Sequence, residues 1–442
     1  MRQDRTRSRS VRSRPVDFDL SEDQEALVGA ATALLQSRAS IQQVRTAADR
    51  PERIDRSLWA HMAEQGWPAI ERPEASGGLG MGFVEVAVLC EQLGRHLAPV
   101  PFAGTVLALH AIEAGSAGRD EVELQAMFGS PPIGERLAGG EAIGAVAWTR
   151  RPDQVVAERA DGSNSGSNSG NAGWVLTGRP DPVIFGPVAD VVIVPAEIAG
   201  SPGVRHLFAV SDLPESVRAG QPAMDLTRSL GWIDLRATPG VLLAGAASAG
   251  AVSASAASGS GAGADSGAAA SASAASGSGA AGEAASLFAS LADRAAVAVS
   301  AEMLGAAQVV LDMTVQYAKD RVQFGRPIGS FQAVKHRCAD MLVDVEGMRS
   351  AVYYAAWCIA AGSPESSAAA SAAKIWCSEA AGRVMASGLQ VHGGIGFTWE
   401  HDMHLFVKRS QLDQVSFGDI AWHHDRLAGM LRHLAEAGLP VM

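Results

Sequence analysis

The segment Tyr317 to His336, YAKDRVQFGRPIGSFQAVKH, concentrates side chains suited to holding a ligand. Arg321 and Arg326 are permanently charged forks that match a phosphate bidentately. Phe324 and Phe331 can cover an aromatic ring system, and the Gln332 amide can bond a polar ring edge. A Pro327-Ile328-Gly329 turn separates two helical patterns, so these groups sit on a loop between helices. A helix connection alone needs far less chemistry than this.

A second motif follows another helical pattern: Gln390-Val391-His392-Gly393-Gly394-Ile395-Gly396-Phe397-Thr398. Its glycines permit close approach of backbone to a ligand, and successive N–H groups can receive phosphate oxygens. A Gly-Gly-x-Gly after a helix often only ends the helix. Paired with RVQFG and FQ it describes one phosphate-and-ring site. His401 and His404, flanked by Glu400 and Asp402, read as structural, because two histidines with flexible carboxylates rarely suffice for a metal. No metal site is expected. The Gly-Ser-Gly-Ala-Gly fragments near residue 260 are composition and not a dinucleotide fingerprint, since no strand precedes them.

Elements must position these motifs, and 442 residues are too many for one compact core. Hydrophobic residues make up 47% and charged residues 19%, a globular balance, and the formal net charge of -11 excludes a dominant basic face for nucleic acid. Cys90, Cys338, Cys358 and Cys377 form no CxxC pair and suit reduced, buried thiols of a cytoplasmic protein. No run is apolar and charge-free enough to span a bilayer. Residues 1–16, with six arginines by Arg14 and no apolar segment behind them, read as a disordered arm. Residues 17–140 are a helical domain, beginning with a capped start at Ser21 and a face of Leu27, Ala31 and Leu34, and continuing with Leu58, Trp59, Met62 and Trp67. Residues 141–243 change to short strands, at 145–149, 155–157, 174–176, 191–194, 206–210 and 241–243, which suits a small β-barrel with a low-complexity tip at 162–173. Residues 244–286 are almost wholly Ala, Gly and Ser and read as a linker. Residues 287–442 return to helices. Val334, Cys338, Met341, Val345, Met348 and Val352 form a bundle seam, and Ala370, Ala373, Trp376, Ala380, Val384 and Leu389 mark another helix.

The DFDLSEDQ start, the GW…PEASGGLGMG loop, RVQFGRPIGSFQAVKHRCADM and QVHGGIGFTWE together resemble the acyl-CoA dehydrogenase family. The likeness covers residues 17–115 and 287–427, and only faintly the strands. It implies a helical N-terminal domain, a central β-barrel and a C-terminal four-helix bundle, with FAD bound between domains and subunits of a tetramer. Such enzymes remove the proton α to an acyl-CoA thioester while the β-hydrogen leaves as hydride to the flavin. Carried over by position, Arg321 resembles the pyrophosphate-binding arginine, with Phe324 beside the adenine and Phe331 and Gln332 as further FAD contacts. Gln390, Val391, Gly393 and Gly394 resemble the loop that receives the neighbouring subunit's cofactor. Arg326 and Lys335 read as solvated or structural charges.

Two departures bear on the chemistry. The family's base is most often the glutamate of a Glu-Gly-Thr tripeptide, and that slot reads Phe417-Gly418-Asp419; the alternative glutamate position, on the first long bundle helix, falls near Ala295. Asp419, Glu302 and Asp293 are the nearby acids. Asp419 is the preferred base, Glu302 shares the face of Ala295 two turns on, and Asp293 points elsewhere on the helix. In the barrel, where the family carries a Trp-Ile-Thr-like run, the later strand of this chain reads Val183-Ile184-Phe185-Gly186.

The leading expectation is therefore an FAD-dependent acyl-CoA dehydrogenase that α,β-desaturates an acyl-CoA thioester and passes electrons to an electron-transfer flavoprotein. The alternative is the base-less subunit of a heteromeric dehydrogenase, a heterotetramer with a glutamate-bearing paralogue in place of a homotetramer. An oxidase or flavin monooxygenase on the same scaffold would reveal itself by direct oxygen consumption.

Overall fold

The structure, a computed structural model, describes residues 20–117, 125, 128–160, 173–243 and 280–436. The arm at 1–16, most of the low-complexity tip and the linker from 244 to 279 lie outside the described residues.

The N-terminal helices start where side chains satisfy free backbone N–H groups. Helix α1 (Glu22–Arg38) opens on a capping box in which Ser21 and Gln24 bond each other's backbone, and α2 (Ile41–Ala48) repeats the device with Ser40 and Gln43. Asp55 caps α3 (Arg56–Glu64) through the Leu58 N–H. Helices α4 (Phe83–His96), α5 (Phe102–Gly115) and α6 (Ile133–Ala138) complete the domain. Leu27, Ala31, Leu58, Trp59, Met62 and Trp67 are all buried, while Leu34 is half-buried and Leu35 takes the deeper place.

The middle domain is a barrel. Strands β1 (Gly144–Val146), β2 (Val155–Arg159), β3 (Trp174–Gly178), β5 (Val191–Ile198), β6 (Arg205–Ser211) and β9 (Leu235–Leu243) run in the order β1-β5-β2-β3-β9-β6, and pairing of β6 back onto β5 closes the sheet. The β5–β6 register runs from Val191 opposite Ser211 to Glu197 opposite Arg205. Closure removes the exposed edges that would otherwise template association. A second sheet of β4 (Val183–Ile184), β8 (Leu230–Ile233) and β7 (Arg218–Gly220) lies beside it. Of these, β4 falls in the 183–186 run expected as a strand, while β7 and β8, three and four residues long, are not marked by the sequence pattern.

The C-terminal part packs α7 (Ala280–Asp320), α8 (Gln332–Ala360), α9 (Ser366–His392), α10 (Met403–Val415) and α11 (Ile420–Glu436). Helix α7 starts at Ala280, not at residue 287, so the last part of the expected linker is its first turns. It contains an 18-residue window apolar enough by composition to cross a membrane, contrary to the expectation of no such run, but 78% of that window is buried within the protein. Met341, Val345, Met348 and Val352 are buried as the seam requires, whereas Val334 and Cys338, at its start, are only half-buried. Trp376 lies on α9 as expected; it is 39% exposed, and its ring lies where a Cβ on Gly347 would fall, 2.7 Å from Nε1. Helices α4 and α7 cross at backbone contact. A Cβ at Gly94 would lie 2.1 Å from the Glu302 carbonyl oxygen, and one at Gly305 would lie 2.0 Å from that of Glu91.

Candidate active site

Arg321 ends α7 and begins a hairpin in which β10 (Val322–Gln323) pairs with β11 (Arg326–Pro327). Its two turn residues, Phe324 (φ 53°) and Gly325 (φ 77°), both have positive φ, as a tight two-residue hairpin turn demands. The turn holds Phe324 out, 92% exposed, edge-on to Phe331 at 6.1 Å between centroids. Arg326 lies over the other aspect of Phe331 at 4.2 Å, a cation–π contact that gives this residue a structural task. Arg321 is exposed, and its guanidinium has no ion-pair partner among the described residues. Gln332 is exposed in the first turn of α8, which starts directly after Phe331.

The glycine motif lies at the same end of the bundle. Helix α9 ends at His392, whose ring stacks on Tyr317 at 4.6 Å, one turn before Arg321. Gly393 has φ 63°, and a Cβ at Gly393 or Gly394 would meet nothing within 4 Å, so the loop is open on that side. Gln390 is exposed and Val391 half-buried. His401 Nδ1 accepts from the Met403 N–H at 3.1 Å, and His404 Nδ1 lies 3.3 Å from Lys408 Nζ, both local contacts.

The two positions that the resemblance assigns to a base are occupied by core. Phe417 (φ 55°) is 7% exposed and Ala295 fully buried. The Phe417 ring meets Trp148 edge-on at 6.2 Å, and Trp148 also stacks on Phe288 at 5.7 Å and meets Trp422 edge-on at 5.0 Å. The backbone is fixed as well, since His423 Nε2–H donates to the Phe417 carbonyl at 3.1 Å. Burial holds the His423 imidazole neutral, with its pKa lowered to about 3.

Each nearby acid is engaged. Asp419 Oδ1 accepts from the Trp422 N–H at 2.9 Å and caps α11. Glu302 is buried against Arg228, with Arg409 at 3.7 Å, and so does not stand free on the face of Ala295. Asp293 is held by Arg426 at 2.5 Å and by the Ser367 hydroxyl at 2.6 Å. On the barrel side, the Thr149 carbonyl accepts from Arg205 at 3.2 Å. Phe185 is buried in a left-handed conformation (φ 57°), its N–H donating to the Ser229 carbonyl at 2.7 Å.

The sequence matches the descriptions "Acyl-CoA dehydrogenase, N-terminal domain" over residues 21–122 and "Acyl-CoA dehydrogenase, C-terminal domain" over residues 256–431. It is 32% identical over 392 residues to the acyl-CoA dehydrogenase IpdE2 of Mycolicibacterium smegmatis, covering 88% of this chain and 93% of that protein. The chain belongs to the acyl-CoA dehydrogenase family. This family member is also 29% identical to FadE27 of Mycobacterium tuberculosis, across 95% of this chain and 99% of the relative. Among solved structures it resembles the ChsE4-ChsE5 complex from Mycobacterium tuberculosis, with a TM-score of 0.72, 26% identity, and coverage of 96% of this chain and 100% of that one. The oxidoreductases of this family use FAD. The residues at the bundle end fit that cofactor: a guanidinium with no ion-pair partner among the described residues, an exposed Phe324 against a half-buried Phe331, and an open glycine loop.

One group escaped the sequence reading. Asp225, Arg228, Glu302, Lys374, Arg409 and Asp413 form a buried ion cluster where the barrel meets the bundle. A signal existed, because Glu302 interrupts the apolar run Ala295 to Gly305. Its partners, however, come from segments far apart in the chain.

Proposed function

We propose that this chain is the base-less subunit of a heteromeric acyl-CoA dehydrogenase that α,β-desaturates an acyl-CoA thioester. The observation that carries the reading is that Phe417 and Ala295 are packed into the core, so neither base position offers a carboxylate. The likeness to one protein of a two-protein complex, ChsE4-ChsE5, supports it.

In this reading Arg321 neutralises the cofactor's diphosphate, and Phe324 and Phe331 cover its adenine. Gln332 bonds a polar edge, while Gln390, Val391, Gly393 and Gly394 offer backbone to a cofactor shared across a subunit boundary. FAD, when bound, supplies the hydride acceptor for the substrate's β-hydrogen. A carboxylate of the paralogue takes the α-proton, and the electrons leave to an electron-transfer flavoprotein. The exposed Phe324, Ile395, Phe397 and Trp399 around both motifs give that paralogue an apolar surface to cover.

A self-sufficient dehydrogenase with Asp419 as base is the second reading. It is favoured by the place of Asp419, half-buried and two residues past Phe417, with only Oδ1 engaged.

The test is anaerobic titration with a panel of acyl-CoAs, following the visible flavin spectrum of the chain purified alone and together with a glutamate-bearing paralogue. Bleaching only in the complex is expected. Full bleaching by the chain alone would overturn the heteromeric reading in favour of Asp419.

A further inference from the structure

Six ionisable side chains, each no more than 5% exposed, meet where the barrel touches the bundle. Arg228 donates to Asp413 at 2.6 Å and also contacts Glu302. Arg409 donates to Asp225 at 3.0 Å and to the Thr227 carbonyl at 3.0 Å, and lies 3.7 Å from Glu302. Lys374 Nζ donates to the Asp413 and Gln414 carbonyls, both at 2.9 Å, and closes the C-terminal end of α10. Three cations face three carboxylates, so the cluster is neutral as a whole.

Buried ion groups are poor sources of stability, since well-packed apolar side chains of similar volume do as well or better. What they add is directional constraint, because the forks of Arg228 and Arg409 meet Asp413, Asp225 and Thr227 in one arrangement, while Asp413 Oδ2 is left without a hydrogen-bond partner among the described residues. The direction here is informative. Beside Arg228, the Ser229 carbonyl takes the Phe185 N–H at 2.7 Å and so holds the Val183–Gly186 turn. Helix α10, clamped at Arg409 and Asp413, leads directly into the Phe417–Asp419 turn at one end and follows the glycine loop at the other. Glu302 stands on α7 between Ala295 and Arg321. Both segments in which this chain departs from its family are thus rooted in one cluster, as is the helix after the glycine loop.

We infer that Arg228, Glu302, Arg409 and Asp413 are positioning residues, which set the placement of the barrel turn and of both ends of α10 and thereby the shape of the flavin site. This rests on the proposed flavin site. None of the four is placed against the cofactor itself.

The test compares two buried carboxylates in the complex with the paralogue. Glu302→Gln removes charge from the cluster. Glu91→Gln is the control: Glu91 is 4% exposed, pairs with Arg349 at 2.9 Å and Tyr353 at 2.7 Å, and touches neither turn. FAD affinity is read by fluorescence titration of the apo complex, flavin geometry by visible circular dichroism, and stability by Tm. Glu302→Gln is expected to weaken FAD binding about 10-fold, the equivalent of about 1.4 kcal/mol, and to change the visible spectrum. Glu91→Gln is expected to lower Tm to a similar extent with FAD affinity intact. Equal effects of the two variants on FAD affinity, or none from Glu302→Gln, would overturn the inference. Should Glu302→Gln fail to fold, Arg409→Lys keeps the charge, loses the fork onto Asp225 and Thr227, and is judged by the same readouts. Failure of the wild-type complex to bind FAD at all would instead refute the flavin site, and so separates the two claims.

Discussion

Asp419 offers a clean division between structure and chemistry. In the structure its carboxylate caps α11, with Oδ1 2.9 Å from the Trp422 N–H. Asp419→Ala removes that cap and should cost about 1 kcal/mol, whereas Asp419→Asn keeps an acceptor in place and should cost close to nothing. A general base is a different matter. Its loss lowers a rate by about 10²- to 10⁴-fold, or roughly 3–5 kcal/mol of barrier. Asparagine cannot take a proton, so in that case Asp419→Asn would be as damaging as alanine. The assay is stopped-flow bleaching of the flavin by a reactive acyl-CoA, alongside denaturant unfolding of the same variants. The expected result in the complex is an unchanged rate for Asp419→Asn and a small stability loss for Asp419→Ala. A 100-fold slower reduction in Asp419→Asn, with FAD binding intact, would refute the cap reading and restore Asp419 as the base.

Three further outcomes follow from particular contacts. Arg321→Ala should weaken FAD binding by roughly 10- to 100-fold, the worth of a charge-assisted hydrogen bond, measured by fluorescence titration; unchanged affinity would remove Arg321 from the site. Burial lowers the pKa of His110 and His423 to about 3 and that of His206 to about 4, below the usual 6.5. The unfolded chain therefore takes up protons first as pH falls below 6.5, and stability, full above that value, declines towards pH 4. Each histidine should cost about 2 kcal/mol between pH 7 and pH 5, and His423→Gln should remove its share of that slope in denaturant midpoints. Gly305→Ala should destabilise by about 1–3 kcal/mol, because its Cβ would fall 2.0 Å from the Glu91 carbonyl oxygen.

Much of this architecture is legible in the sequence because its causes are local. The Ser21 cap and the spacing of Met341, Val345, Met348 and Val352 each fix an element by short-range chemistry. The strands of the main sheet are equally plain, while β7 and β8 are too short to show a period. Helical periodicity places Trp376 on α9 without saying what covers it, and Gly347 on α8 lets that ring rest partly outside the core. The ion cluster is beyond local reading. Its members lie at positions 225, 228, 302, 374, 409 and 413, and only folding brings them within a few ångströms. The missing glutamates were readable as absences, but what fills their place was not. Trp148, Phe288 and the stretch carrying Phe417 and Trp422 come from three separate segments.

The two departures share a physical signature that bears on the division of labour between subunits. Phe185 and Phe417 are both bulky residues at positive φ, a conformation that costs roughly 1–2 kcal/mol and persists only where the surroundings fix it. Both are buried, and both are tied by backbone hydrogen bonds, Phe185 to Ser229 and Phe417 to His423. On the side that the resemblance assigns to a base and a flavin ring, this chain has therefore committed Phe185 and Phe417 to packing. At the bundle end the opposite holds: Phe324 is almost fully exposed, Arg321 is unpaired among the described residues, and the Gly393–Gly394 loop faces open space. A self-sufficient enzyme needs both sides available. A chain that closes the reactive side on itself and leaves the nucleotide-holding side uncovered is suited to lending that second side to a subunit that carries the base.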